Sequence, residues 1–192
     1  MRGFSMVLAV GLIGGLSIAS AQAAALKVGD KAPDFKAKTV TGKTVSLADA
    51  KGADVVVICF TCNTCPVARA YEQRFIDFVK KYSKKGVKFI ALDVNRTDSL
   101  ATMKEHADEH DFNFPYAYDG SGASAEAYGA KVTPHMFVVN RNGVVSYIGA
   151  FDDNMNAKKV KKHYVIDAVN AILSGQKPPV AETRAFGCGI KR

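Results

Sequence analysis

Four cysteines in 192 residues are too few to staple a disulfide scaffold, since a small secreted domain built that way carries them far more densely. No run beyond the first 25 residues is apolar enough to span a membrane. The opening run itself, from Phe4 to about Ile18, falls short of the ~20 residues a span needs and is broken by Gly11, Gly14 and Gly15. Basic charge clustered with aromatics, the mark of a nucleic-acid binder, is also missing. The formal net charge is +8, but the lysines are dispersed, with local runs only at Lys80-Lys81, Lys84-Lys85 and Lys158 to Lys162. Neither a nucleic-acid partner nor stable membrane insertion is expected. Internal repeats, low-complexity segments and a second domain are absent, which leaves one domain with a single sizeable core.

The first residues have the layout of a secretory signal peptide: one basic residue (Arg2), the apolar run, then small residues ending in Ala21-Gln22-Ala23. Residues 1–23 are therefore expected to be removed, leaving a domain over 24–175 and a Pro/Gly-rich tail over 176–192. The segment has no cysteine, which excludes a lipid-anchored start. Export to the periplasm or beyond would place the cysteines where disulfides persist.

Hydrophobic patterning predicts alternating strands and helices. Thr41-Gly42-Lys43 reads as a turn between short extended pieces, and "ADVVVICF" (53–60) as a central strand buried on both faces. Helical spacing of Val67, Tyr71, Phe75, Phe78 and Val79 follows Pro66, and Gly86 ends that helix. A strand is predicted over 87–94, a helix capped by Thr97 or Asp98 and running to about His110, a short strand in "FPYAYD", and a small helix over 123–128. Asn142-Gly143 between two apolar runs predicts a hairpin, and a last helix is expected over 156–173. Together these give an α/β fold with a central mixed sheet.

Three cysteines crowd one stretch, "ICFTCNTCP" (58–66). Cys62 falls in the strand-to-helix turn and Cys65 in the first helical turn, where backbone N–H groups and the positive end of the helix favour a thiolate. Cys62 is the candidate nucleophile, exposed and thiolate-like, and Cys65 the resolving thiol that attacks a mixed disulfide. Cys59 belongs to the apolar strand and reads as a packed thiol. Cys188 lies between two glycines in the tail, either without a role or as an accessory redox thiol.

"VGDKAPDF", "GKTVSLAD", the strand leading into "CNTCP", "AYDGSGASAEAYGAKVTP" and "FVVNRNGVVSYIGAF" resemble, in this order, the redoxin branch of the thioredoxin superfamily, related to the alkyl hydroperoxide reductase/thiol-specific antioxidant proteins. The resemblance covers about residues 27–173. It implies a thioredoxin fold, with the Cys62/Cys65 pair at the strand-to-helix turn and Thr133-Pro134 as a cis-proline loop beside it. The backbone of Thr133 would then bind an extended substrate as an added strand. The activity implied is thiol-disulfide exchange with protein thiols and disulfides, supplied by an unidentified electron donor and needing no cofactor.

Departures from the relatives narrow this. The acid that thioredoxin carries six residues before its first cysteine is Val56 here, and the acid some relatives carry six residues after it is Ala68. Glu72, Asp93 and His135 are left as candidate proton acceptors. The proline and the Thr or Ser that peroxiredoxins place seven and three residues before their reactive cysteine are Val55 and Cys59. A thiol peroxidase using Cys62 is therefore the first alternative. A copper-binding protein is the second, although copper chaperones of this fold space their cysteines CxxxCP. An iron-sulfur run would need a cysteine at position 69, which is Arg. His106 and His110 read as part of a solvated helix face, and no metal site is expected.

Overall fold

A computed structural model describes residues 26–191. The signal-peptide reading of residues 1–23 lies outside the described residues. Among those residues, no helix is long and apolar enough to cross a membrane.

In the described residues, nine short strands and four α-helices follow in the order β1 (Lys36–Thr39), β2 (Thr44–Ser46), β3 (Val55–Thr61), α1 (Pro66–Tyr82), β4 (Val87–Asp93), α2 (Leu100–Glu109), β5 (Tyr116–Tyr118), α3 (Ala123–Tyr128), β6 (Val132–Thr133), β7 (His135–Asn140), β8 (Val145–Gly149), α4 (Tyr164–Leu173) and β9 (Cys188–Gly189). Seven of the strands form a mixed sheet in the order β2-β1-β5-β4-β3-β7-β8, and β6 pairs separately with β9. This is a thioredoxin fold.

The centre of the sheet is β3, every residue of which is buried. It runs parallel to β4 and antiparallel to β7, in register from Val55↔Val87 to Thr61↔Asp93 on one side and from Val55↔Asn140 to Phe60↔His135 on the other. Alternation splits its side chains between two cores. Val55, Val57 and Cys59 face α1 and α4 with Tyr71, Phe75, Phe78 and Val169; Val56, Ile58 and Phe60 face α3 with Phe35, Tyr128 and Phe137. Because β3 and β4 run parallel and in register through Thr61↔Asp93, they end together, and the loops leaving them emerge side by side.

The first helix starts where a helix should: Cys65 is the N-cap and Pro66 occupies the first position, whose N–H needs no partner. Its buried stripe, Ala68, Tyr71, Phe75, Phe78 and Tyr82, packs on the sheet. Arg74 crosses to the buried Asp152, stacks 3.6 Å over the Tyr71 ring and bonds the carbonyls of Asn154 and Met155, tying α1 to the loop after β8.

Three local expectations are corrected. The cap of α2 is Ser99 rather than Thr97 or Asp98: its hydroxyl accepts the Thr102 N–H, and the Thr102 hydroxyl accepts the Ser99 N–H in return. The helix expected over 156–173 begins only at Tyr164. Asn156 caps a single 3-10 turn over Ala157–Lys159, and Asp153 then holds the Lys161 N–H and donates its own N–H to the Lys162 carbonyl, keeping 161–162 out of helix. His106 and His110 do not face solvent. They are half-buried against α1, where His106 Nε2 lies 2.7 Å from Glu72 Oε1, because the face repeating at four residues is the one α2 turns toward its neighbour.

Cys59 is wholly buried, and burial pushes its thiol far above the ordinary range. In native, reduced protein it should be the last of the four cysteines to react with a small alkylating reagent. Cys59→Ala should retain thiol-disulfide activity and cost about 1 kcal/mol in urea unfolding through lost packing. Rapid labelling of Cys59, or loss of turnover in a folded Cys59→Ala protein, would place it in the active site instead.

Candidate active site

The end of β3 delivers the chain into the turn Cys62-Asn63-Thr64, and the N-cap of α1 takes over at Cys65. Two carboxylates brace the turn from beneath. Asp93, the last residue of β4, and Asp98 both accept the Asn63 N–H, at 3.3 and 3.2 Å. The Tyr116 hydroxyl, from β5, lies 2.8 Å from Asp93 Oδ2 and 2.7 Å from Asn63 Oδ1, closing the network.

From the other side comes Thr133, followed by a cis peptide bond to Pro134. The Thr133 hydroxyl is 3.4 Å from Cys62 Sγ, and its carbonyl oxygen is 3.1 Å from Cys65 Sγ. The four cysteines are free thiols. Cys62 and Cys65 are each only 2% exposed, so the expectation of an exposed Cys62 is corrected. What shields the pair is the tail: β9 lays Cys188 against Thr133, with Cys188 Sγ 2.6 Å from Cys65 Sγ.

Charge is partitioned unevenly across the pair. Cys62 is held protonated, first by the hydrogen bond its thiol gives to Cys65, then by burial and by the negative charge of Asp93; the Thr133 hydroxyl opposes this. Cys65 is pulled the other way, first by that same bond from Cys62, against its burial, and then by the Cys188 thiol, Thr133 and the Ala68 N–H, which lies 3.4 Å from its sulfur. Of the two, Cys65 is the more readily ionised, and while it keeps its proton its Sγ donates to the Thr133 carbonyl. The sequence reading placed the thiolate character on Cys62, because the helix field was assigned to the turn. The field acts on the N-cap, which is Cys65, while Cys62 faces the acids.

Of the three candidate proton acceptors, one is at the site. Glu72 is engaged with His106. His135 is kept neutral to about pH 4 by burial and by the charge of Lys131, and its Nδ1 is buried without a partner. Asp93 is wholly buried beneath the dithiol, and that burial raises its carboxyl to about 7, with Asp98 adding to the rise. Tyr116 and Asp98 were missed in the sequence. Among the described residues, the metal-competent grouping of His, Cys, Asp or Glu is Glu72, His106 and His110, which contains no cysteine.

A vicinal dithiol at a strand-to-helix junction, flanked by a cis-proline loop on a thioredoxin fold, defines a thiol-disulfide oxidoreductase. Residues 28–148 match the AhpC/TSA family, and the chain belongs to it. It is 31% identical over 122 residues to the thiol-disulfide oxidoreductase ResA of Bacillus thuringiensis subsp. konkukian, covering 62% of this chain and 68% of that one. An uncharacterized conserved protein from Geobacillus kaustophilus superimposes with a TM-score of 0.81 at 31% identity, over 87% of this chain and 93% of the other. A thiol:disulfide interchange protein of the thioredoxin family from Chlorobium tepidum does so with a TM-score of 0.56 at 25% identity, over 62% and 84%.

The raised carboxyl of Asp93 has a consequence for stability. The folded protein holds the proton up to about pH 7, whereas an unperturbed aspartate releases it near 3.8, so Asp93 costs stability progressively as pH rises through that window. Asp93→Asn removes this cost. The melting temperature of the variant, relative to the native protein, should rise between pH 4 and pH 8. A difference that does not change with pH would mean that Asp93 ionises as an ordinary carboxylate.

Proposed function

We propose that the protein is an exported thiol-disulfide oxidoreductase that uses Cys62 and Cys65 to reduce or exchange disulfides of protein substrates. The observation that carries this reading is the placement of both sulfurs against one residue, Thr133, through its hydroxyl and its carbonyl. An extended peptide paired with the Thr133 backbone would bring its disulfide to the dithiol. Export rests on the layout of residues 1–23 and on the need for an oxidising compartment in which a dithiol has disulfides to exchange.

Cys62 attacks the substrate disulfide as its proton passes to the Asp93 carboxylate, and one substrate sulfur leaves and takes that proton from Asp93. Cys65 then attacks Cys62 Sγ, forming the Cys62–Cys65 disulfide and expelling the second substrate sulfur, which takes up the Cys65 proton. A carboxyl raised to about 7 suits the first transfer, since a base is most effective when its pKa lies near the working pH. An electron donor of the thiol class must then return the pair to its reduced form.

Cys62→Ser should abolish dithiol-dependent insulin reduction, whereas Cys65→Ser should trap mixed disulfides with substrate. The opposite pattern would reverse the two roles. The native rate should rise with pH through about 7, and Asp93→Asn should flatten that rise and lower the rate at pH 8 by about 10²-fold. An unaltered profile would remove Asp93 from the mechanism.

A second reading, a thiol peroxidase using Cys62, draws on membership of the AhpC/TSA family. The positions where peroxiredoxins shape a peroxide pocket are here Val55 and Cys59, both wholly buried inside β3. Under single-turnover conditions with excess peroxide, oxidation of the dithiol no faster than that of free cysteine is expected.

A further inference from the structure

The tail following α4 is anchored along its length. The Thr183 N–H bonds the Ile148 carbonyl at 3.0 Å, and the Thr183 hydroxyl accepts the Ala150 N–H at 3.0 Å. Phe186 packs against Tyr71 in one core and Ile190 against the other. The Lys191 N–H reaches Asn95 Oδ1 at 3.0 Å. Between these anchors β9 pairs with β6, Cys188 opposite Thr133. That is the backbone edge assigned above to a substrate.

Approach on this scale needs a residue without a side chain. A Cβ on Gly187 would stand 1.9 Å from the Thr133 carbonyl oxygen. With glycine there, the chain delivers Cys188 Sγ to 2.6 Å from Cys65 Sγ. Cys188 is half-buried where Cys62 and Cys65 are closed off, so it is the most accessible of the three sulfurs.

We propose that the C-terminal strand is an internal occupant of the substrate edge, and that Cys188 is the exchange thiol through which the buried dithiol meets external thiols. The proposal rests on the assignment of Cys62 and Cys65 as the redox pair. After a substrate has been reduced, the Cys188 thiolate attacks Cys65 Sγ of the Cys62–Cys65 disulfide. A Cys65–Cys188 bond forms and the Cys62–Cys65 bond breaks. The electron pair leaves on Cys62, which takes up the proton that Cys188 released, so one disulfide and one thiol are present before and after. An external dithiol then attacks Cys188 and displaces the Cys65 thiolate, which the Ala68 N–H and the start of α1 stabilise as a leaving group. The second thiol of that reductant resolves the mixed disulfide, leaving Cys188 reduced and the donor oxidised. While the Cys65–Cys188 bond lasts, the strand is held on Thr133 and a second substrate is kept off.

Reduced full-length protein, oxidised with limiting glutathione disulfide, quenched in acid, alkylated and digested with trypsin, gives a direct readout. The dithiol and Cys59 fall in one peptide, residues 52–69, and Cys188 in another, residues 185–191. The expected result is a joined pair of peptides whose fragmentation places the link at Cys65. Oxidation confined to 52–69 with Cys188 alkylated, or a link from Cys188 to Cys59 or Cys62, overturns the proposal. Gly187→Val should push β9 from Thr133, lower the joined product about tenfold and speed a single turnover of insulin by pre-reduced protein, whereas both Gly187→Val and Cys188→Ser should slow re-reduction by an external dithiol about tenfold. If both variants match an active native enzyme, the proposal fails and the Cys62/Cys65 reading stands. If the native protein does not reduce insulin, that reading fails, and the peptide map still decides the role of Cys188.

Discussion

Thr133 is the residue at which the separate parts of this molecule meet. It is wholly buried, its hydroxyl faces Cys62, its carbonyl faces Cys65, and its backbone pairs with Cys188. Buried main-chain donors and acceptors must be paired, and a two-residue strand such as β6 cannot satisfy its own edge. Something extended has to lie there. In the resting protein it is the chain's own tail, and in turnover the same hydrogen-bonding demand would recruit a peptide. Under the proposed function, occupation of the edge and access to the dithiol would be a single equilibrium, because one segment of backbone would serve both.

The electrostatics of the site follow from what lies on either side of a four-residue turn. Beneath it, the ends of β4 and the following loop contribute Asp93 and Asp98, both held to the Asn63 N–H. Ahead of it, the first turn of α1 points the Ala68 N–H at Cys65 and the Val67 N–H at Cys188. Negative charge is repelled from Cys62 and drawn to Cys65, and the hydrogen bond between the sulfurs carries the proton accordingly. Removal of Asp93 from water leaves its carboxyl titrating near 7, so the same burial that destabilises its charge equips it to exchange protons at neutral pH.

Much of this was legible in the chain before folding. The continuous apolar run ending at Phe60 identified the central strand, and its alternation correctly divided Val55, Val57 and Cys59 from Val56, Ile58 and Phe60. Pro66 marked the start of α1 and Asn142-Gly143 the hairpin, while Gly86 closes the 3-10 turn Ser83–Lys85 that follows the end of α1 at Tyr82. Two of the misreadings share one cause, an aspartate engaged with backbone outside its local stretch. Asp98 was free to cap α2 in the sequence but is spent on Asn63, and Asp153 pins Lys161 and Lys162 where periodicity continued a helix. His106 and His110 carried a polar pattern that says nothing of whether a second helix covers them.

Local sequence alone determined the pairing of Cys62 with Cys65, the seclusion of Cys59 and the alternation of strands and helices, because these depend on spacing and hydrophobic period along a short stretch. Tertiary structure alone decided how far the pair is exposed, which acids lie beside it and where the tail runs. Asp93 is 31 residues from Cys62 and Cys188 is 123 from Cys65, and only the parallel alignment of β3 with β4 and the pairing of β6 with β9 bring them within reach. Electrostatic and thiol-exchange chemistry act over a few ångströms of space, and separation along the chain carries no record of that distance.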